Sequence, residues 1–408
     1  MQTNIVDELK QTAEGAEADR ILRNCVHCGF CNATCPTYQL LGDELDGPRG
    51  RIYQIKDMLE GGEVSRRTQL HLDRCLTCRN CETTCPSGVE YGKLVDIGRE
   101  MVEQRVNRPW GERLFRGLLR RVLPYPARFG ALLRTGQTVR PLLPTGLRAK
   151  VPRRQHAGEW PPARHQRRML VLQGCVQPAM APRINAAAAR VLDRLGISLI
   201  AAEGAGCCGA VDQHLGAPAD ARDRMRANID AWWPHVAAGA EAIVMTASGC
   251  GAIVREYAHH LAQDPDYADK ADRIAAMTKD LSEVVAGEDV ASLAPAAPPP
   301  VAVQTPCTLQ HAQGLPRGVN GLLERAGFPL TEVAEAHLCC GSAGTYSILQ
   351  PELAEQLRDR KLANLEADQP AVIATANIGC LHHLASASQV PVKHWVELLD
   401  PAHEGPEA

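Results

Sequence analysis

The chain is poor in several features that mark common protein classes. Aromatic residues make up 4% of its 408 residues, and no stretch approaches the roughly 18 unbroken apolar residues of a membrane-spanning helix. The N-terminal segment MQTNIVDELKQTAEGAEADR is acidic and has no apolar core, so no signal peptide is visible. We therefore expect no spanning helix, and a reducing cytoplasmic setting in which the 16 cysteines are not a secreted disulfide scaffold.

Cysteine is concentrated in two motifs of one spacing, CVHCGFCNATCP at 25–36 and CLTCRNCETTCP at 75–86. The spacing C-x2-C-x2-C-x3-C-P is typical of a loop that gives three thiolates to one [4Fe–4S] cluster, while its fourth cysteine ligates the neighbouring cluster. The alternatives are zinc, which usually takes two CxxC pairs, and disulfides, which need an oxidising compartment. The motifs therefore predict two [4Fe–4S] clusters, the first on Cys25, Cys28, Cys31 and Cys85, the second on Cys75, Cys78, Cys81 and Cys35.

Residues 1–104 are predicted to form a helical two-cluster ferredoxin domain. The insert between the motifs does not resemble a strand, because Ile52, Ile55, Met58 and Leu59 recur at helical spacing.

Residues 105–168 form a basic segment, with 16 arginines and lysines against two acids. Arginine alternates there with apolar residues, as in GERLFRGLLRRVLPYPARFGALLRT. One hypothesis is an interfacial segment that meets anionic lipid headgroups or an acidic partner subunit. The other is a basic linker that packs its apolar side on the chain's own domains. No nucleic-acid recognition motif accompanies the charge, so we expect no nucleic-acid partner.

Residues 169–290 and 301–400 are predicted to be two copies of one cysteine-rich repeat. Both contain C-x31-C-C-G followed by a further cysteine about forty residues later, and 132 residues separate Cys175 from Cys307. Short apolar runs at 169–172, 242–245, 301–303 and 372–374 precede the cysteines and predict buried parallel strands. Loops at the carboxyl ends of such strands converge, so each repeat could bring four thiols together. The sets are Cys175, Cys207, Cys208 and Cys250, and Cys307, Cys339, Cys340 and Cys380.

Three roles remain open for these repeat thiols. They could hold further clusters, act as redox-active dithiols at the adjacent pairs, or be buried structural cysteines. Metal or cluster binding is favoured, because two adjacent cysteines followed by glycine, found twice, are unusual in core packing. Of the histidines His214, His311, His337, His382 and His383, those at 311 and 382 lie near the cysteine loops and could be ligands or proton donors.

One segment of the first repeat, GAGCCG at 204–209, formally matches the GxGxxG dinucleotide-binding pattern after a strand-like stretch. Its counterpart in the second repeat, AHLCCG, keeps both cysteines and the last glycine but lacks the first two glycines. The cysteines are what the copies share, so a nucleotide site is disfavoured. The chain also contains no P-loop and no HExxH motif.

Together these motifs resemble the iron–sulfur subunits of flavin-linked 2-hydroxy-acid dehydrogenases, and in particular the glycolate oxidase (glycolate dehydrogenase) iron–sulfur subunit family. The same layout occurs in the small subunit of anaerobic glycerol-3-phosphate dehydrogenase and in heterodisulfide reductase subunits. The resemblance covers nearly the whole chain, and its segments include HLDRCLTCRNCETTCPSGV, AGCCGAVD, CTLQHAQ, HLCCGSAGTY and TANIGC. The chain departs from the broader repeat pattern, which ends in CxxC, because Ile253 and His383 stand where a fifth cysteine would be.

The resemblance implies a mixed α and α/β fold, in which a helical ferredoxin domain precedes two α/β repeats with parallel strands. It also implies an oxidoreductase subunit without its own flavin. FAD-binding partner subunits would oxidise glycolate to glyoxylate, and this chain would pass the electrons one at a time to a quinone-side acceptor. We expect it to lie in the cytoplasm, peripherally attached to the inner face of the cell membrane.

Three further functions are kept open beside this one. The chain could serve another 2-hydroxy-acid or glycerol-3-phosphate dehydrogenase, or carry thiol–disulfide chemistry at its repeats. The repeats could also act only as an adaptor that docks flavin subunits or the membrane.

Overall fold

The computed structural model describes residues 1–144, 148 and 151–400 and divides into a helical N-terminal part and two parallel α/β units. The helices of the N-terminal part are α1 Asp7–Lys10, α2 Ala13–Asn24, α3 Phe30–Ala33, α4 Pro36–Leu41, α5 Pro48–Leu59, α6 Arg66–Asp73, α7 Asn80–Thr84 and α8 Tyr91–Arg105. The helix predicted between the two cysteine motifs is confirmed as α5. It starts with Pro48 at its first turn, where a missing N–H costs nothing. Its buried Ile52, Ile55 and Met58 pack against α2 and α8.

The basic segment is helical in its first part. Helix α9 spans Trp110–Val122, α10 spans Pro126–Val139, and a 3₁₀ turn follows at Arg140–Leu142. Residues 145–147 and 149–150 of this segment lie outside the described residues.

The first α/β unit holds a sheet of four parallel strands, β1 Arg167–Val171, β2 Ile197–Ala201, β3 Ile243–Met245 and β4 Thr278–Asp280, in the order β2-β1-β3-β4. Its helices are Gln177–Met180, Arg183–Arg194, Ala210–His214, Pro218–Ala237, Ser248–Arg255, Tyr257–His260, Ala268–Met277 and Leu281–Ala286, followed by a 3₁₀ turn at Val290–Leu293.

The second unit repeats this topology with fewer residues. Its strands β5 Val301–Gln304, β6 Val372–Thr375 and β7 Val392–His394 are parallel and lie in the order β5-β6-β7. A parallel bridge between Val301 and Leu330 puts a fourth segment in the place that β2 has in the first unit. The helices are Gly318–Arg325, Tyr346–Leu349, Pro351–Glu366 and Ile378–Ala385, with a π-helical turn at Thr308–Ala312 and a 3₁₀ turn at Trp395–Leu398. The predicted fold class, a helical domain followed by duplicated parallel α/β repeats, is confirmed.

One apolar core joins the two units, since Val171, Leu192, Val303, Leu323 and Trp395 belong to a single buried cluster. The units also meet near their cysteine loops, where the Gly249 N–H donates to the Asn377 side chain at 3.3 Å. The helical part lies against both units. This packing fixes the positions of the cysteine loops relative to one another.

Candidate iron–sulfur centres and thiol clusters

The two cysteine motifs adopt one local conformation. In each, the first cysteine follows the end of a helix, and the second and fourth residues after it are left-handed before a short helix begins. These residues are His27 (φ 59°) and Gly29 (φ 86°) in the first motif, and Thr77 (φ 54°) and Arg79 (φ 58°) in the second. Left-handed backbone costs a non-glycine residue about 1–2 kcal/mol, and such strain is concentrated at functional sites. The strained backbone of both loops therefore marks them as candidate functional sites.

The first motif and the last cysteine of the second line one cavity, which we call the first pocket. Its cysteines are Cys25, Cys28, Cys31, Cys81 and Cys85. The Cys28 side chain is exposed, and Val26 and Phe30 beside it are 68% and 62% exposed. The first pocket thus lies at the protein surface.

The second motif and the last cysteine of the first line a second cavity, the second pocket. Its cysteines, all buried, are Cys35, Cys75, Cys78 and Cys81. Cys81 and Tyr91 line both pockets, so the pockets are immediate neighbours. The structure therefore brings Cys85 beside the first motif and Cys35 beside the second motif, with Cys81 in the wall of both pockets.

The distances between the sulfurs distinguish an iron–sulfur cluster from a zinc ion as the group that would fit. A tetrahedral zinc with Zn–S bonds of about 2.3 Å would hold its sulfurs roughly 3.8 Å apart. In the part of the chain that the structure describes, no three cysteine sulfurs all lie within 4.8 Å of one another. Four thiols around an open cavity fit a larger, polynuclear iron–sulfur group.

The second pocket lies beside a buried charge network. Arg51 is 1% exposed, and its guanidinium donates to the His71 carbonyl at 2.8 Å and to Thr37 at 3.2 Å. Its Nη1 lies 4.0 Å from the sulfur of Cys35. The Asp46 carboxylate accepts from Arg51 at 3.4 Å, while His71 and Arg74 contact it at 3.0 and 2.9 Å. With its oxygens so occupied, Asp46 belongs to an ion-pair network rather than to a metal site.

The thiols of the second pocket differ in the direction of their pKa shifts. Burial raises the pKa of Cys75, but Arg51 and Arg99 outweigh it, so its pKa is lowered overall. The Tyr91 hydroxyl also donates to the Cys75 sulfur at 3.6 Å. Burial and neighbouring thiols raise the pKa values of Cys78 and Cys81 well above the usual range. Those thiols become thiolates only if a bound cation compensates the charge, as an iron cluster does.

The four thiols of each repeat also come together. In the first repeat, Cys175, Cys207, Cys208 and Cys250 lie close enough together that each thiol shifts the pKa of a neighbouring one. In the second, Cys307 lies 3.7 Å from Cys339, and Cys340 and Cys380 influence neighbouring thiols in the same way. Asn228 and Tyr257 position the first loop, since the Asn228 amide and the Tyr257 hydroxyl donate to the Cys207 and Cys208 carbonyls at 2.8 and 2.9 Å.

The two thiol sets of the repeats differ in their relation to the second pocket. Cys78 of that pocket shares a buried apolar cluster with Cys307 and Cys339 of the second repeat. Asn80 donates to the His337 carbonyl at 3.2 Å and holds the loops together. The first repeat meets the same motif through an ion pair between Arg79 and Glu256. Thiols of the second repeat thus lie next to Cys78, which lines the second pocket.

The predicted histidines mostly serve packing. His311 contacts the Thr83 hydroxyl at 2.9 Å and the His337 carbonyl at 3.0 Å, and so joins the helical part to the second repeat. His383 bonds to the Ala354 carbonyl at 3.1 Å, and His214 lies 3.8 Å from Asp96. Burial lowers the pKa of His382 to about 4, which makes it a poor proton donor near neutral pH.

Sequence reasoning missed Arg51, Asp46 and Tyr91, which surround the second pocket. One signal could have found Arg51. It lies four and seven residues before Ile55 and Met58, on the buried stripe of α5, where an arginine must find partners. No comparable pattern marks Asp46 or Tyr91.

Comparison with known proteins supports these assignments. The family described as "4Fe-4S dicluster domain" matches residues 21–89, and the family described as "Cysteine-rich domain" matches residues 169–255 and 301–385. The chain is 58% identical over 405 residues to the glycolate oxidase iron–sulfur subunit of Escherichia coli (strain K12), covering 99% of this chain and 100% of that one. It is 32% identical to a probable glycolate oxidase iron–sulfur subunit of Bacillus subtilis (strain 168), over 92% of this chain and 90% of the relative.

Two more distant proteins share parts of the chain or the fold. Lactate utilization protein A of Bacillus subtilis (strain 168) is 29% identical and matches 55% of this chain. A crystal structure of a hypothetical protein from Helicobacter pylori superposes with a TM-score of 0.52 at 9% identity, over 97% of this chain and 74% of that one. The latter likeness concerns the fold alone.

Proposed function

This chain belongs to the family of glycolate oxidase iron–sulfur subunits, and from that premise we propose that it relays electrons from a flavin-bearing partner toward a quinone-side acceptor. The partner would oxidise glycolate to glyoxylate and release two electrons, which iron–sulfur clusters accept one at a time. The observation that carries the proposal is the pairing of two adjacent four-cysteine pockets, one at the surface and one buried.

The proposed ligands of the first cluster are Cys25, Cys28, Cys31 and Cys85, and those of the second are Cys75, Cys78, Cys81 and Cys35. The shared wall at Cys81 supports exchange of electrons between the two sites. The exposed mouth of the first pocket suits entry from a docked partner. The buried charge network beside the second pocket stabilises added negative charge there. Together these features favour electron flow inward, from the first pocket to the second.

We also propose that the repeat thiols form metal or cluster sites. The four sulfurs of each repeat lie in one contiguous chain of contacts, whereas a dithiol would require only the adjacent pair. Cys307 and Cys339 lie beside Cys78, so the second repeat is the site to which the cluster of the second pocket would pass an electron. The departure at Ile253 and His383 leaves four thiols for each proposed site.

Membrane attachment of the chain and its domain boundaries are also proposals. No helix among the described residues is long and apolar enough to cross a bilayer. We propose peripheral attachment to the cytoplasmic face of the membrane, through the surface of helix α9. The proposed units are 1–104, 105–168, 169–290 and 301–400, and limited proteolysis followed by mass mapping tests these boundaries.

Anaerobic purification together with the flavin-bearing subunits tests the relay. We expect about eight irons from the helical part, since two four-iron clusters are proposed, and more if the repeats are loaded. Addition of glycolate should produce the EPR signals of reduced clusters, whereas glycerol 3-phosphate should not. An iron-free chain, or iron that glycolate never reduces in the intact complex, would remove the proposal.

A separate measurement tests the alternative of thiol chemistry. If the repeats act as dithiols, the isolated chain should turn over a disulfide substrate without its flavin partner. Cys208→Ser and Cys340→Ser should then abolish that turnover while leaving the iron content unchanged.

A further inference from the structure

Helix α9 shows its charged side to the protein and its apolar side to solvent. Arg108, just before the helix, donates to Asp73 at 2.6 and 2.9 Å. Arg116 lies 3.6 Å from the same carboxylate, and Arg120 donates to Asp212 at 3.3 Å. These arginines fasten the helix to the helical part and to the first repeat. The hypothesis that the basic segment packs its apolar side on its own domains therefore fails for most of α9, where Leu119 is the buried residue.

Four apolar side chains form what we call the outer face of α9. Trp110, Leu114 and Leu118 are 76%, 61% and 53% exposed, and Phe115 is 43% exposed. Their spacing puts them on one side of the helix. Leu132 on α10 and Leu142 after it are also exposed, at 61% and 86%. A contiguous apolar surface of this kind marks an interaction site rather than a random scatter of exposed residues.

The unpaired charges around the outer face are positive. Within the described ranges, the side chains of Arg113 and Arg121 form no ion pair, and both are exposed. The acids nearby are already engaged. Glu112 pairs with Arg66, and Asp212 and Asp220 pair with Arg120.

A cleft beside α9 carries a net excess of arginine at the same place. Six arginines line it against four acids, Glu103, Asp212, Asp220 and Asp223, together with Trp110 and Leu114. The arginines are Arg108, Arg113, Arg116, Arg120, Arg121 and Arg224. The Nε of Arg116 is buried and has no hydrogen-bond partner among the described residues. An anionic oxygen entering the cleft would satisfy that donor.

We propose that the outer face of α9 lies in the interface of an anionic lipid bilayer, with its apolar side chains among the acyl chains and its arginines on headgroup phosphates. The inference deepens the proposed peripheral attachment and rests on it. An apolar stripe flanked by arginine, with tryptophan on it, has the composition of an interfacial helix. Arginine also matches phosphate geometry well. A protein partner would instead be expected to meet a rim of mixed polarity.

Vesicle flotation of the purified, cluster-loaded chain tests the proposal. We expect binding to vesicles of phosphatidylcholine with phosphatidylglycerol, and at least tenfold weaker binding to phosphatidylcholine alone or at high salt. Leu114→Glu with Leu118→Glu should weaken binding at least tenfold. The matched control, Leu41→Glu with Ile348→Glu, changes exposed apolar residues elsewhere and should bind as the wild type does.

A second pair of variants tests the charges. Arg113→Glu with Arg121→Glu should lose most of the preference for anionic vesicles, whereas Arg273→Glu with Arg317→Glu, an equal charge change on exposed arginines elsewhere, should keep it. Iron content and circular dichroism check that each variant is folded.

Several results would overturn the proposal. These are absence of vesicle binding, equal binding to both vesicle types, or undiminished binding by the Leu114 and Leu118 variant. If that variant instead loses its flavin-bearing partner while the wild type ignores vesicles, the outer face belongs to the partner. Reduction of the clusters by glycolate is measured separately in the soluble complex, so a failed relay is distinguishable from a failed lipid contact.

Discussion

Replacing Arg51 with methionine should lower the reduction potential of the cluster proposed for the second pocket. Arg51 is 1% exposed, and its guanidinium lies 4.0 Å from the sulfur of Cys35. A fixed positive charge at this position favours the reduced cluster, which carries one more negative charge. Methionine has a similar length and no charge, so Arg51→Met removes this stabilisation with little change in volume.

The size of the shift follows from Coulomb's law. Two unit charges 4 Å apart interact by about 4 kcal/mol at an effective dielectric constant near 20. The added electron is spread over the cluster, and doubling the distance reduces the interaction to about 2 kcal/mol. For a one-electron couple this corresponds to about 90 mV. Asp46, 3.4 Å from Arg51, offsets part of the charge, so we expect a decrease of roughly 50–90 mV.

Redox titration followed by EPR measures this shift for each cluster separately. Arg51→Lys keeps the charge and should retain a potential close to that of the wild type. Tyr91→Phe removes only the hydroxyl that donates to Cys75 at 3.6 Å and should give a smaller decrease. The matched control is Arg49→Met beside the first pocket, where the arginine is paired with Glu44 and is far less buried, so water screens its charge.

Loss of Arg51 leaves Asp46 buried with Arg74 and His71, and breaking a buried pair costs about 3–5 kcal/mol. Tyr91→Phe carries no such penalty and keeps the test available if Arg51→Met does not fold. Unchanged potentials in both variants, with full iron content, would refute the reasoning. A shift confined to the other cluster would also refute it, since it would mean that Cys35 and Cys75 do not ligate the neighbouring site.

The remaining predictions concern ligand exchange, the repeats and pH. Cys85→Ser should damage the cluster of the first motif and Cys35→Ser that of the second; spectroscopic damage to the cluster of the variant's own motif would contradict the crossed sets. Cys340→Ser and Cys208→Ser should each lower the iron content measured per chain if the repeats hold clusters, and Ser388→Ala serves as the neutral control for the assay. Burial lowers the pKa of His394 to about 4, although the Thr246 carbonyl at its Nε2 acts in the opposite direction, and its Nδ1 accepts from the Val396 N–H. Its contribution to stability should therefore be complete above pH about 6.5 and be lost as the pH falls toward 4, about 2 kcal/mol of it between pH 7.5 and 5. Chemical unfolding at these two pH values should show a smaller loss for His394→Gln, and an equal loss in both proteins would contradict this.

The cysteine chemistry could be predicted from the sequence because it depends on local spacing. Three thiols at intervals of three residues must lie on one tight loop, whatever surrounds it. The parallel strands were predictable for a similar reason, since short apolar runs such as 301–303 and 372–374 are buried on both faces. The duplication was visible because both copies keep C-x31-C-C-G.

Only the tertiary structure decided which side of α9 meets solvent. The alternation of arginine and apolar residues fits either orientation. The choice depends on Asp73 and Asp212, which lie far away in the sequence and hold the arginines inward. The buried charges at the second pocket have the same origin. Arg51 on α5 and Tyr91 on α8 come from separate segments, and their joint effect on Cys75 arises only when packing excludes water between them.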